Sequence, residues 1–166
     1  MGNINLESEK RSPIYKDHWQ SYLNLGLIPY PASHTYKGPL VNWEYDKDGE
    51  PLPLPVTDDY LHYEEEYPNA NIWILLGDEF VCIDPDHPEA ETFVQSLNLP
   101  IGPTSVSGNE SIHRWFKTSS PIKPIIIKND GKTWLELRTG QLGMMAPPSI
   151  HPDTKKPYRW KEGHSP

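Results

Sequence analysis

Two aspartates separated by a proline follow an apolar run near the middle of the chain. The run ends at Ile83, and Asp84-Pro85-Asp86 comes directly after it. Because proline fixes its own φ and keeps the preceding residue out of the helical region, both carboxylates are held at the end of a strand. Oxygen ligands held in this way suit a hard divalent cation such as Mg²⁺ or Mn²⁺. The same residues also suit a turn before a helix starting at Pro88, so the motif alone does not establish a metal site.

A third carboxylate, Glu136, lies in the second strand of a predicted hairpin. Two runs rich in β-branched and aromatic residues, 125–128 and 132–138, are joined by an Asn-Asp-Gly turn. Alternation along the second run predicts that Glu136 shares a face with Trp134 and Arg138. A sheet that brings Glu136 to the aspartate pair would place three carboxylates together, which requires cations between them. An ordinary strand glutamate paired with Arg138 is the alternative.

Two Ser-x-His pairs could supply phosphate contacts. Ser111 and His113 are two residues apart on a predicted strand, so a hydroxyl and an imidazole share one face. Ser149 and His151 repeat the spacing after Pro147-Pro148, where stiff backbone holds both side chains near one place. The alternatives are a buried structural histidine for the first pair and a rigid surface loop for the second.

Hydrophobic periodicity predicts a mixture of helices and strands. Two short runs, 72–76 and 79–83, are expected to form two strands joined by a turn at Gly77-Asp78. Ser12-Pro13 is expected to cap and begin a first helix that ends before Gly26. Further helices are predicted at 58–67, capped by Thr57, and at 88–97, with further strands at 27–29, 104–107, 112–116, 141–146 and 158–160.

Length, charge and cysteine content set limits on these hypotheses. The chain has 166 residues, the size of one domain. Its 15 basic and 23 acidic residues give a net charge of −8, which argues against broad, salt-driven adhesion to nucleic acid. The single cysteine, Cys82, excludes an intrachain disulfide and, with its apolar neighbours, predicts a buried thiol. No run approaches the roughly 18 apolar residues of a membrane span, so we expect a soluble, cytoplasmic protein with no membrane partner.

With these segments in order, the chain resembles the Prim-Pol branch of the archaeo-eukaryotic primase superfamily. The resemblance extends from about Leu25 to Trp160. One departure is the loop before His113, which lacks the paired glycines that many members carry there. The motifs that carry the resemblance are Lys37-Gly38-Pro39, Asn69-Ala70-Asn71-Ile72, Asp84-Pro85-Asp86, Ser111-x-His113, Glu136, the segment 146–152 and Tyr158-x-Trp160.

This resemblance implies a fold and a set of site residues. The fold is an α+β domain with an RRM-like mixed or antiparallel sheet core, at 69–160, and a smaller N-terminal helical or α/β part, at 1–68. The whole chain, 1–166, would be a single catalytic domain. By matching position, Asp84, Asp86 and Glu136 bind the catalytic Mg²⁺ or Mn²⁺ ions. The nucleotide-binding residues would be Ser111 and His113, with further contacts from Lys37, Ser149 and His151.

The resemblance also implies an activity and its partners. The chain would be a template-directed nucleotidyltransferase that makes or extends primers on single-stranded DNA by a two-metal mechanism, in replication of a plasmid, phage or other mobile element. Its partners would be dNTPs or NTPs, a single-stranded template with its primer, and a helicase or helix-bundle domain absent from this chain. Two alternatives stay open: a metal-dependent glycosyltransferase of the Asp-x-Asp type, and a replication-initiation module without catalytic activity.

Overall fold

The computed structural model describes residues 13–166, so the predicted cap at Ser12 lies outside the described residues. Within them, three helices and seven strands form an α+β fold, which confirms the predicted fold class. In chain order the elements are α1 (Ile14–Asn24), β1 (Ile28–Ala32), α2 (Thr57–Glu66), β2 (Asn71–Pro85), α3 (Pro88–Ser96), β3 (Thr104–Val106), β4 (Ile112–Lys117), β5 (Ile125–Asn129), β6 (Lys132–Met145) and β7 (Arg159–Trp160).

The strands form one antiparallel sheet with β2 near its middle. The strand order is β5-β6-β2-β4-β3-β7, and β1 pairs with the first half of β2. The second half of β2 pairs with β4, from Phe80 opposite Lys117 to Ile83 opposite Arg114. Strand β6 runs along both halves of β2 on the other side. The end of β2 that carries the Asp-Pro-Asp motif therefore lies between β4 and β6.

The prediction of two strands joined by a turn at Gly77-Asp78 is wrong, and with it the β-β-α order. Residues 71–85 form one strand, with an irregularity in its pairing at Gly77. Gly77 adopts φ +59° and lies opposite Gly140, which adopts φ +63°. Glycine accepts this conformation at little cost, so the pair produces a bulge that bends the strands without reversing them. Similarly, residues 141–146 continue β6 rather than forming a separate strand.

The helices follow the predicted ranges with small shifts at their ends. Helix α1 begins at Ile14, one residue after Pro13, and buries an aromatic face on the sheet. Helix α2 begins at Thr57, the residue predicted to cap it; the capping bond is instead from the Val56 N–H to the Asp59 carboxylate, at 2.8 Å. Helix α3 begins at Pro88, as predicted. No helix within residues 13–166 has the length and apolar character needed to cross a bilayer.

The main core joins α1 to β2 and β4. Tyr15, Trp19 and Tyr22 of α1 belong to the same buried cluster as the β2 side chains Ile72, Ile74 and Leu76. The predicted burial of the Cys82 thiol is confirmed, and this residue also belongs to the cluster. This packing anchors β2 along its length, so the carboxylates at its end are attached to a rigid element.

A smaller buried cluster packs α3 on the first part of β6. It shows that one predicted side-chain position is wrong. Ala90 and Val94 of α3 pack on Leu135, with Trp134 beside them. Trp134 contacts Phe93, with ring centroids 5.6 Å apart, and so packs with Leu135 rather than with Glu136 as predicted. The cause is an irregularity in the β5–β6 pairing after Ile127, which interrupts the alternation of side chains.

Candidate active site

Three carboxylates from two strands and the segment after β2 form a cluster. Asp84 on β2 lies opposite Glu136 on β6, so their side chains share a face of the sheet. The backbone N–H of Asp86 donates to the carbonyl of Trp134 at 3.0 Å, which keeps Asp86 beside β6 after the strand ends. One carboxylate oxygen from each of Asp84, Asp86 and Glu136 lies within 4.8 Å of the others. This spacing is compatible with a shared divalent cation.

Asp84 is the buried member of the cluster, and its two carboxylate oxygens face an imidazole and a guanidinium. Its Oδ1 lies 3.2 Å from His113 Nε2 and its Oδ2 lies 3.3 Å from Arg138 Nε. Burial raises the pKa of Asp84, but the hydrogen bond and charge of His113, with the charges of Arg138 and Lys37, outweigh that effect and lower it overall. Asp84 is therefore ionised at neutral pH, as a metal ligand must be.

Asp86 and Glu136 have different surroundings. Asp86 is exposed, yet partial burial of its carboxyl group and the negative charges of Asp84 and Glu136 raise its pKa to about 6. Glu136 is half-buried, and its Oε2 lies 2.5 Å from Arg138 Nε. The cluster thus contains one carboxylate that titrates near neutral pH beside one held firmly in its ionised form.

His113 extends from β4 toward Asp84, with its Nε2 3.2 Å from Asp84 Oδ1. The ring is buried, and its Nδ1 has no hydrogen-bond partner within residues 13–166. Ser111 precedes β4 in a turn closed by the Ser107 N–H bond to the Ser111 carbonyl, at 2.9 Å. A buried imidazole nitrogen without a protein partner is a position where a ligand oxygen would satisfy an otherwise unmet hydrogen-bonding group.

Gly108 allows the turn before β4 to pack against the loop that carries His151. A Cβ atom at Gly108 would lie 2.5 Å from the His151 Cβ and 2.6 Å from the Lys156 carbonyl oxygen, which are distances that real contacts do not reach. Thr154 Oγ1 donates to the Gly108 carbonyl at 3.0 Å. One glycine therefore permits the close approach that joins the two Ser-x-His regions, without the paired glycines that many Prim-Pol proteins carry.

His151 is held in one orientation by its own loop. Its Nδ1 accepts from the N–H groups of Asp153 and Thr154, at 3.2 and 3.4 Å, so the neutral ring carries its hydrogen on Nε2. That Nε2 is buried and lacks a hydrogen-bond partner in the described part of the chain. Burial lowers the pKa of His151, and the charge of Lys37 lowers it further. The ring is therefore neutral at pH 7 and offers a donor.

Ser149 occupies a different position from the other predicted site residues. It is fully buried, and its hydroxyl both accepts from the Ile72 N–H at 2.8 Å and donates to the Ile72 carbonyl at 3.2 Å. These bonds tie the loop after β6 to the first half of β2. Both hydrogen bonds of the Ser149 hydroxyl are therefore made to backbone groups of Ile72, which leaves this side chain a structural role.

One pocket collects most of the predicted residues. Lys37, Asp84, Asp86, Ser111 and His113 all line it. Glu136 contacts its wall through the ion pair with Arg138, whereas Ser149 and His151 do not line it. The further lining residues, to which sequence reasoning assigned no role in the site, include Trp73, Asn109, Arg138 and Tyr158.

Two of these additional residues carried a signal in the sequence. Strand alternation predicts that Arg138 shares a face with Glu136, and this is the sequence feature that places its guanidinium near the acids. Tyr158 was part of the family motif. Its buried ring stacks on His151, with centroids 5.7 Å apart, and lies 6.3 Å from the ring of His113. The Tyr158 ring therefore packs near both imidazole rings.

The fold and the site together define a class of protein. Clustered strand carboxylates beside a buried imidazole and a lysine suit metal-assisted transfer of phosphoryl or nucleotidyl groups. A family model for the N-terminal domain of bifunctional DNA primase/polymerases, Prim-Pol, matches residues 19–166. The chain therefore belongs to the Prim-Pol family, which confirms the resemblance. Membership implies nucleotidyltransferase activity of the DNA primase/polymerase type, with nucleotides and DNA as substrates. A comparison with curated proteins finds no match.

Proposed function

We propose that this domain carries out template-directed nucleotidyl transfer on single-stranded DNA, making or extending primers by a two-metal mechanism. The observation that carries the proposal is the convergence of Asp84, Asp86 and Glu136, whose oxygens lie within 4.8 Å of one another in a Prim-Pol domain. We assign Mg²⁺ or Mn²⁺ to these three residues, because hard divalent cations prefer carboxylate oxygens.

The donor set fits such ions. Asp84 is ionised at neutral pH, and it is rigidly held at the end of a buried strand. Asp86, which lines the pocket, and Glu136 present further carboxylate oxygens within 4.8 Å of the Asp84 oxygen. When bound, the ions would activate the attacking hydroxyl and stabilise the leaving pyrophosphate.

The remaining residues of the pocket would bind the incoming triphosphate. His113 and Ser111 lie beside the acids, where an imidazole and a hydroxyl can donate to phosphate oxygens. Lys37 adds a positive charge from the loop after β1. The Nε2 hydrogen of His151 supplies a further donor near Lys37. These groups orient the nucleotide and balance its charge, and no protein nucleophile is required.

The family resemblance also supports proposals about the catalytic unit, the biological role and the partner domain. We propose that the N-terminal helices and the sheet act as one catalytic unit, since α1 and β2 share a core. We also propose cytoplasmic action in replication of a plasmid, phage or other mobile element, with a helicase or helix-bundle domain as partner. The glycosyltransferase alternative finds no support, because the matched family is one of primases and polymerases.

A primer-extension assay tests the proposal. The wild-type domain is incubated with a primed single strand, with an unprimed one, and with dNTPs or NTPs in Mg²⁺ or Mn²⁺. We expect incorporation that follows the template sequence and stops when EDTA removes the metal. Persistent absence of incorporation in every combination, from a folded protein, would favour the replication-initiation module without catalytic activity.

A further inference from the structure

The guanidinium of Arg138 lies inside the acid cluster. Its Nε is 2.5 Å from Glu136 Oε2 and 3.3 Å from Asp84 Oδ2, and its Nη1 donates to the Gly143 carbonyl at 3.0 Å. Arg138 therefore bridges the two strand carboxylates that lie opposite each other on β2 and β6. A guanidinium always carries its charge, so it neutralises part of the repulsion within the cluster.

Both carboxylate oxygens of Asp84 already have a nitrogen within 3.3 Å. Oδ1 faces His113 Nε2 and Oδ2 faces the fixed positive charge of Arg138, so a cation that approaches Oδ2 competes with the guanidinium for this oxygen. The side chain of His113 is 7% exposed, whereas that of Arg138 is 31% exposed. Arg138 has the longer and more accessible side chain, so it is the group that can move aside.

We propose that Arg138 is a positioning residue that couples metal binding to nucleotide binding: its guanidinium competes with the metal for Asp84 and Glu136 until a triphosphate gives it another partner. This inference rests on the proposed function. A triphosphate bound in the pocket would lie within reach of Arg138, because Arg138 lines the same pocket as Lys37 and His113. A phosphate group matches the planar fork of a guanidinium as well as a carboxylate does.

The coupling has a thermodynamic consequence. A triphosphate that draws Arg138 away from the carboxylates makes metal binding more favourable, and by reciprocity the metal makes nucleotide binding more favourable. Without nucleotide, a metal ion would be attracted less strongly, because Arg138 already neutralises part of the negative charge of Asp84 and Glu136. The domain would thus assemble its metals chiefly together with the substrate.

Calorimetric titration with Mn²⁺, with and without a non-hydrolysable dNTP analogue, tests the inference on the Arg138→Gln variant. We expect the variant to bind Mn²⁺ alone roughly tenfold more tightly than wild type, and the analogue to tighten Mn²⁺ binding much less than it does in wild type. Arg138→Lys, which keeps the charge but replaces the planar fork of donors by a compact ammonium, should fall between the two. It carries the test should Arg138→Gln fail to fold.

Two lysine variants separate direct competition from the general effect of charge. Lys117→Gln removes one charge from an exposed pair with Glu79, and Lys37→Gln removes one from the pocket wall without breaking an ion pair to the acids. Both should strengthen Mn²⁺ binding less than Arg138→Gln does. If Arg138→Gln and Lys117→Gln bind Mn²⁺ equally well, and the analogue tightens Mn²⁺ binding equally in both, the inference about Arg138 is wrong while the proposed metal site is unaffected. If Asp84→Asn binds Mn²⁺ as wild type does, the proposed metal site falls, and this inference with it.

Discussion

The two aspartates of the Asp-Pro-Asp motif have different protonation behaviour because their neighbours differ. Asp84 has an imidazole on one oxygen and a guanidinium on the other, and its pKa is lowered overall. Asp86 has two carboxylates nearby, and partial burial together with these negative charges raises its pKa to about 6. A metal ion and a proton compete for the same oxygen, so Asp86 links metal binding to pH.

Mn²⁺ binding should weaken in acid because of Asp86. Above about pH 6 the carboxylate is already ionised, whereas below it each bound ion must displace a proton, so affinity should fall roughly tenfold per pH unit. Calorimetry across this range measures the slope, and Asp86→Asn removes the titrating group. A slope that is the same in Asp86→Asn and wild type would assign the pH dependence to another group.

His113 should matter for the triphosphate rather than for DNA. His113→Ala removes a buried imidazole whose Nδ1 has no partner among residues 13–166, and we expect nucleotide affinity in Mn²⁺ to fall roughly tenfold to a hundredfold, since a charge-assisted hydrogen bond contributes about 1.5–3 kcal/mol. Binding of single-stranded DNA should change little. Nucleotide and DNA affinities are measured separately by fluorescence anisotropy.

The control for this variant is His62→Ala, which removes an exposed histidine paired with Glu66 on α2. Thermal unfolding of both variants is followed alongside. If His113→Ala loses DNA and nucleotide binding equally, or loses only stability, the ring is a structural residue of the core.

At the scale of elements, the site depends on how β2, β4 and β6 are placed relative to one another. The bulge at Gly77 and Gly140 bends the central pair, and the turn at Gly108 brings the start of β4 to the loop after β6. The three acids and the two imidazoles therefore come from segments far apart in sequence. Their geometry depends on a few positions that favour glycine, because of positive φ at Gly77 and Gly140 and because of lack of space at Gly108.

Gly108→Ala tests this dependence. The added methyl group would lie 2.5 Å from the His151 Cβ, so the two loops must separate, and we expect a loss of about 1–3 kcal/mol in the free energy of unfolding together with weaker nucleotide binding. Gly102→Ala is the milder comparison and should lose less stability, because its added methyl group would come no closer than 3.3 Å to another atom, the Trp115 carbonyl oxygen. Urea unfolding measures both variants. Equal stability in the two would show that the loops yield easily.

Sequence patterns predicted most elements but failed where a glycine or a bulge interrupts the strand period. Helix α3 and the β3–β4 and β5–β6 pairs lie where the patterns put them. A glycine between two apolar runs is compatible with either a turn or a bulge, and only pairing with β6 decides between them. For the same reason Trp134 was assigned to the wrong neighbours. The third acid was predicted by family position, whereas the bridging role of Arg138 depends on register, which local sequence does not determine.

At the scale of the whole molecule, few basic residues are available for a nucleic acid. The net charge is −8, and several cations already pair with acids: Lys16 with Glu64, Arg114 with Glu91, Lys117 with Glu79, Arg138 with Glu136, and Arg159 with Glu110. Composition predicted weak intrinsic binding to DNA, and these pairs reduce the available positive charge further. Metal ions would reverse the local sign of the acid cluster.

Binding to a bare template should therefore be weak. It should depend only modestly on salt, because the slope of log K against log salt concentration is roughly −0.7 for each phosphate contacted on a single strand, and few phosphates are contacted. Adding Mn²⁺ with a nucleoside triphosphate should tighten binding, most strongly when the nucleotide pairs with the templating base. Fluorescence anisotropy of a labelled strand, with matched and mismatched nucleotides, measures the effect. Tight binding without metal, indifferent to the nucleotide, would reveal a basic groove outside the site described above.

If carboxylates from separate segments act as one metal site for nucleotidyl transfer, loss of Glu136 must stop catalysis although this residue lies 50 positions after Asp86. Glu136 and Glu91 are both strongly shielded and both pair with an arginine, with side chains 14% and 19% exposed, but only Glu136 lies in the acid cluster. In template-directed primer extension, Glu136→Gln should fall below about a hundredth of the wild-type rate, since metal ions supply several kcal/mol of transition-state stabilisation. Glu91→Gln should stay close to wild type. Equal activity in the two folded variants would contradict the account.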